Sequence, residues 1–154
     1  MSSLLRALDT EVGLDYGQFC VEDTRGAAGP AADPAGPGVW LLAGENQLVV
    51  ESASTRTHSP AVRLEAWDGP PGPAGPGWPD RARARVRFGS AVVLLHALTE
   101  EEPDGEPLVL GPPGVYEVDG HRRGGERVEP LVTGRPDASP RGVEQFLLRF
   151  WPVS

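Results

Sequence analysis

Four arginines stand two apart at Arg81, Arg83, Arg85 and Arg87, alternating with Ala82, Ala84, Val86 and Phe88. In an extended strand, residues two apart share a face, so the guanidinium groups form a stripe with one charge every ~6.6–7 Å. Such a stripe is able to bind phosphate, a nucleic-acid backbone or an acidic protein surface. The plainer reading is a solvated outer face whose charges pair across strands with Glu65 or Glu51. All 14 basic residues of the chain are arginine, and isoleucine is absent as well as lysine. That bias follows GC-rich coding, so arginine here is not evidence of selection for bidentate geometry. Composition therefore favours the solvated face.

A second charged candidate has the opposite sign. Glu100, Glu101 and Glu102, continued by Asp104 and Glu106, form an acidic run able to mimic the phosphates that a basic cleft awaits. Its plainer reading is a solubilising loop. Among the tryptophans, Trp40, Trp67, Trp78 and Trp151, two invite an interface reading, because tryptophan is enriched at binding hot spots. Trp67 and Trp151 have the strand parity opposite to Ala66 and Phe150, which places both on an outward face. The alternative is that a long loop such as 69–80 covers that face.

Catalytic chemistry finds little support. His58, His96 and His121 lie far apart and lack metal-ligand spacing. His96, in the most apolar segment, reads as a buried, hydrogen-bonded histidine. Cys20 has no neighbouring histidine or basic residue in sequence to lower its pKa. Nucleophile elbow, P-loop and dinucleotide fingerprint are all missing from the sequence. Carboxylates such as Glu22 and Asp23 read as solvated. The residues predict no catalytic constellation, no cofactor and no metal.

The elements that must position these groups are strands. At 154 residues the chain is long enough for one domain with a core. Its 20 glycines and 17 prolines cluster at 26–38, 69–79, 103–114 and 134–142, which marks loops between apolar, β-rich segments. Residues 1–12 read as a short helix, with Ser2 or Ser3 as cap and Leu4, Leu5 and Leu8 as its stripe, or as a tail. A strand over 13–22 bulges at Gly17. Segments 39–43 and 47–52 form a hairpin around Gly44-Glu45-Asn46. Val62, Leu64 and Ala66 point inward from a strand over 61–68. The arginine strand turns at Gly89-Ser90, as a tight hairpin, into an apolar strand over 91–98 that sits centrally in a sheet or against the second sheet. A short strand follows at 107–110, and another near 127–132 breaks the long polar connection. Residues 115–122 pair with 145–151, with Tyr116, Val118, Phe146, Leu148 and Phe150 inward and His121, Arg149 and Trp151 on the other face. About eight or nine strands with intervening turns imply an all-β chain, a single antiparallel β-sandwich over 1–154.

Net charge of −8 and a pI near 4.8 disfavour direct nucleic-acid binding. One cysteine excludes an internal disulfide. Neither a signal peptide nor an apolar run of ~20 residues is visible, so a cytoplasmic, non-membrane protein is expected.

Asp15-Tyr16-Gly17-Gln18-Phe19 and the later Gly114-Val115-Tyr116 resemble the Tyr-x-Gln-Phe opening and Gly-x-Tyr strand of the competence J family. These are small bacterial proteins that inhibit a DNA-entry nuclease. The chain also looks like actinomycete proteins of this length, a likeness that implies no activity. The family resemblance implies a non-enzymatic protein-binding module, an inhibitor or immunity-type protein, with a nuclease or toxin as partner. A small-ligand or carbohydrate binder using the tryptophan-bearing face is the alternative, and an enzyme ranks below both.

Overall fold

The computed structural model describes residues 1–30, 39–98, 105–135 and 137–153. Ten strands run in chain order: β1 (Leu4–Glu11), β2 (Gln18–Asp23), β3 (Leu41–Gly44), β4 (Gln47–Glu51), β5 (Ser59–Trp67), β6 (Asp80–Phe88), β7 (Val92–Ala97), β8 (Leu108–Val109), β9 (Gly114–Arg123) and β10 (Arg141–Pro152). A 3-10 turn, Gly125–Arg127, leads into one short helix, α1 (Val128–Val132). The first sheet has the order β1-β5-β10-β9-β6 and the second β3-β4-β2-β7-β8. Among the described residues no helix is long and apolar enough to cross a membrane.

Alternation explains the sheets. Val62, Leu64 and Ala66 of β5, Tyr116 and Val118 of β9, and Phe146, Leu148 and Phe150 of β10 turn to one side. There they meet Phe19 and Val21 of β2, Leu48 and Val50 of β4, and Val93 and Leu95 of β7 in one apolar cluster. Phe19 stands edge-on to Phe146 at 5.1 Å between ring centres, so the two sheets touch directly. Each such side chain contributes about 1.5–3 kcal/mol by leaving water. The ribbon of β9 and β10, expected from 115–122 and 145–151, pairs antiparallel from Arg123 with Gln145 to Tyr116 with Pro152.

Several expectations are corrected. Pairing is not antiparallel throughout, because β10 runs parallel to β5. Its direction is set by β9 on one side, and β5 must accept it on the other. Residues 4–11 form a strand rather than a helix or tail, pairing antiparallel with β5. An isolated helix this short is marginal, whereas β1 satisfies the backbone groups along one edge of β5. The strand expected over 13–22 starts at Gln18, not Gly13, although Leu14 bridges to His58. Gly17 has φ of 80°, and a Cβ there would lie 2.9 Å from the Ser54 carbonyl, so the chain turns at the one residue that fits. The β3–β4 connection is Glu45-Asn46, shorter than expected, with Asn46 at φ of 60°.

Gly89-Ser90 is not a hairpin turn, because β6 and β7 lie in different sheets. The crossing is held by buried Asp23. Its carboxylate accepts the N–H groups of Ser90, Ala91, Arg25 and Gly26 at 2.8–2.9 Å and the Ser90 hydroxyl at 2.8 Å. Burial pushes the Asp23 pKa up, but these donors outweigh it and hold the group at about 2. Residues 128–132 form α1 rather than a strand. Pro130 sits in the first helical turn, where its missing N–H costs nothing, and it would have broken a strand ladder.

Candidate functional site

The arginine stripe lies on the outer face of the first sheet. Register places Arg81 opposite His121, Arg83 opposite Asp119 and Arg85 opposite Glu117 on β9. On the far side of β9, Arg149 stands opposite Asp119 and Trp151 opposite Glu117. The stripe therefore pairs with β9, not with Glu65 or Glu51. Arg85 reaches Glu117 at 2.6 Å, while Arg81 and Arg83 approach Asp119 at 3.5 and 3.7 Å. Glu65 instead accepts from Arg63 at 2.7 Å and from the Trp67 indole at 2.9 Å. Arg87 makes no ion pair among the described residues.

Asp119 is the centre of this face. It is buried and accepts Arg149 Nη2 at 2.6 Å and His121 Nε2 at 3.1 Å. Burial raises its pKa, but the hydrogen bonds from Arg149 and His121 outweigh burial and keep the carboxyl below its usual range. Arg149 Nη1 donates to the Gly72 carbonyl at 2.8 Å and so ties down the proline-rich loop. Trp78 of that loop lies under the Arg123 guanidinium, 4.1 Å from the ring centre, and 6.0 Å from the His121 ring. Between loop and sheet is a cavity of about 280 Å³ lined by Trp78, Arg81, Arg83, Asp119, His121 and Arg149. Arg149 Nε and His121 Nδ1, both buried, lack a hydrogen-bond partner among the described residues.

This covering loop decides the fate of the aromatic face. His121, Arg149 and Trp151 have the outward parity expected, but the first two are buried and Trp151 is only 5 % exposed, with Arg83 lying 5.5 Å over its ring. Trp67 is half-buried. The two tryptophans form no open platform for a sugar or small ligand. Glu100, Glu101, Glu102 and Asp104 lie outside the described residues. Tyr16, which opens the Tyr16-Gly17-Gln18-Phe19 motif, is 76 % exposed beside Gly17.

A second cluster occupies the outer face of the other sheet. Cys20 and His96 are register partners on β2 and β7, and Glu22 lies two residues along on the same face. Cys20 Sγ is 3.1 Å from His96 Nε2, and Glu22 Oε2 is 2.7 Å from the same nitrogen. His96 Nδ1 lies 2.9 Å from the Ala97 carbonyl and Nε2 2.7 Å from the Glu22 carboxylate, both acceptors, so each ring nitrogen faces a group to which it can donate. Burial, and then the Glu22 charge, push the Cys20 thiol up to about 12, the opposite of an activated nucleophile. Cys20, Glu22 and His96 are the group able to hold a metal ion among the described residues. Sequence reading left Cys20 without a histidine because His96 is 76 positions away, and only strand pairing joins them.

A third group, Ser52, His58 and Glu144, has the residue types of a hydrolytic triad without its order. The Ser52 hydroxyl donates to Glu144 and lies 3.1 Å from His58 Nε2, so serine rather than histidine sits in the middle. Glu144 also accepts the Ala53 N–H at 2.8 Å. Burial raises the Glu144 pKa and lowers that of His58, and both side chains are sealed from solvent. The cluster ties the start of β10 to the loop after β4.

No family model matches the sequence, and no curated protein matches it. Solved structures do. ComJ from Bacillus subtilis, an inhibitor of the DNA degrading activity of NucA, aligns with a TM-score of 0.63 over 99 % of both chains at 12 % identity. The structure described as crocagin biosynthetic gene J aligns at 0.62 over 97 % of this chain and 100 % of its own, at 13 % identity. The resemblance first carried by Tyr16-Gly17-Gln18-Phe19 and Gly114-Val115-Tyr116 thus extends to the whole backbone: this chain has the fold of ComJ.

Proposed function

We propose that the chain is a non-enzymatic protein-binding module, an inhibitor or immunity-type protein whose partner is a nuclease or toxin. The observation that carries this reading is the shared fold with an inhibitor of a DNA-degrading activity, along 99 % of both chains. Chemistry supports it from two sides. A net charge of −8 suits a partner whose cleft is built for phosphates. The groups that resemble catalytic machinery are disabled as such: Cys20 is held as a thiol, and His58 and Glu144 are sealed from solvent. The same proposal takes the two sheets, which share one core, as a single β-sandwich domain, and places it in a bacterial cytoplasm, where an inhibitor protects its host.

Two charged segments of opposite sign are the contact candidates: the acidic run Glu100, Glu101 and Glu102, and the stripe Arg81, Arg83, Arg85 and Arg87, with Trp67 and Trp151 on the same sheet face. The test is a DNA-degradation assay with each nuclease and toxin of the native host, purified and titrated with this protein. One enzyme should lose activity at equimolar protein and co-elute with it on gel filtration. Glutamine at 100, 101 and 102 should weaken inhibition at least about tenfold, equal to 1.4 kcal/mol, if the acidic run is the contact. Alanine at the four stripe positions reads out the other surface. An excess of protein that slows none of the enzymes and forms no complex overturns the proposal.

A further inference from the structure

We propose that Cys20, Glu22 and His96 form a binding site for a divalent cation of the zinc class on the outer face of the second sheet. This stands independently of the inhibitor reading. A thiolate, an imidazole and a carboxylate are the ligand types that zinc takes, whereas magnesium and calcium prefer oxygen alone. The three donor atoms lie within 4.8 Å of one another. They project from paired strands, so the sheet fixes their spacing before any ion arrives.

The placement of the histidine ring is the decisive detail. Nδ1 donates to the Ala97 carbonyl, the backbone bond that commonly orients a metal-bound imidazole. Nε2 faces Cys20 Sγ at 3.1 Å and Glu22 Oε2 at 2.7 Å, so a cation that takes the place of the proton between Nε2 and the carboxylate meets all three ligand atoms. Three electron-pair donors converge, and no arginine pairs with any of them among the described residues. Around tetrahedral zinc, with bonds of about 2.0–2.3 Å, ligand atoms stand about 3.4–3.6 Å apart. The separations here are 2.7, 3.1 and 4.0 Å, on both sides of that spacing. Side-chain shifts of under about 1 Å bring them to it, within the rotamer freedom of a part-exposed glutamate. The His96 and Glu22 side chains are 12 % and 34 % exposed, which leaves a fourth position facing water. On binding, the Cys20 S–H bond breaks, its proton and the one between His96 Nε2 and Glu22 pass to water, and the freed sulfur and nitrogen electron pairs bond the cation. Thiolate and carboxylate then balance its two charges.

The test is titration of the chelator-treated full-length protein with Co²⁺ and then Zn²⁺. One equivalent of Co²⁺ should give a thiolate-to-cobalt charge-transfer band with the visible bands of tetrahedral cobalt. Zn²⁺ should displace it, and Mg²⁺ and Ca²⁺ should not. Cys20→Ser should abolish the band. Glu22→Gln, at the exposed edge where the fold tolerates it, should weaken Zn²⁺ binding about 10–100-fold, as should His96→Gln. Far-UV circular dichroism confirms folding in each case. Absence of the charge-transfer band in the folded wild type overturns the proposal. So does unchanged Zn²⁺ affinity in folded Glu22→Gln and His96→Gln, which would place the ion elsewhere.

Discussion

Asp119 and Glu22 lie on the outer faces of different sheets, and each carboxylate faces a histidine nitrogen, at 3.1 and 2.7 Å. Their surroundings differ in charge. Asp119 is buried among guanidinium groups, with Arg149 at 2.6 Å and Arg81 and Arg83 within 3.7 Å. Glu22 has a thiol and an imidazole and no guanidinium group among the described residues. A buried carboxylate already matched by guanidinium groups is part of the scaffold: it pins Arg149, and through Arg149 the loop that closes the face. A carboxylate grouped with other electron-pair donors is incomplete until a cation joins it. The difference separates what holds this protein together from what it presents to a ligand.

Breaking the charge match should have the largest effect. Asp119→Ala leaves Arg149 buried without its counter-ion and should cost about 3–5 kcal/mol in urea unfolding. Asp119→Leu with Arg149→Met, which removes both charges and keeps apolar volume, should recover most of that loss. Glu22→Gln in metal-free protein should cost under about 1 kcal/mol, because that side chain is part-exposed and paired with no arginine. Equal losses at Asp119 and Glu22 would dissolve the distinction.

Zinc should act on the other cluster alone. At 100 times its Kd it should add about 2.7 kcal/mol to wild type and to Asp119→Leu/Arg149→Met, and much less to Glu22→Gln. A zinc effect that survives Glu22→Gln in full would move the cation site away from Glu22.

Acid should expose the Asp119 cluster with a smaller effect. The Asp119 pKa is lowered on folding from its ordinary 3.8, so in this range the unfolded chain binds more protons than the folded one. The stability it contributes is full above that ordinary value and is lost as pH falls through the lower folded one. Wild type should lose stability on that descent, and the Asp119→Leu/Arg149→Met chain should lose less. Parallel slopes in urea unfolding between pH 5 and pH 3 would show that Asp119 is not held ionised by its neighbours.

The legibility of the two clusters follows from their distances along the chain. The arginine stripe and the inward set of the β9–β10 ribbon were plain, because a period of two fixes a face within one strand. Their burial was not plain: parity assigns Arg149 and Trp151 to the outer face but does not say that loop 69–79 lies over it. Asp119 gave no signal, being one acid among alternating residues until β6 and β10 flank it. Cys20 and His96 become neighbours only through the pairing of β2 with β7. The N-terminal strand was missed for a related reason. Leu4, Leu5 and Leu8 fit a helical stripe, and the edge of β5 that recruits them lies some 60 positions later.

Arg85 supplies the smallest effect and the closest control. It shares strand face and residue type with the rest of the stripe, and its bond to Glu117, at 2.6 Å, is as short as that of Arg149 to Asp119. Its side chain is 64 % exposed, against 6 % for Arg149. Water therefore solvates both charges of the Arg85 pair, and Arg85→Ala should cost about 0–1 kcal/mol, falling further in 1 M salt. If two bonds of equal length differ so widely in worth, burial and not distance sets the energetics of this face. That leaves the exposed arginines free to be spent on contact. A near-neutral Arg85→Ala in unfolding that nevertheless weakens complex formation with the inhibited enzyme would assign the stripe to the partner. A loss as large as that of Asp119→Ala would instead make the whole stripe part of the scaffold.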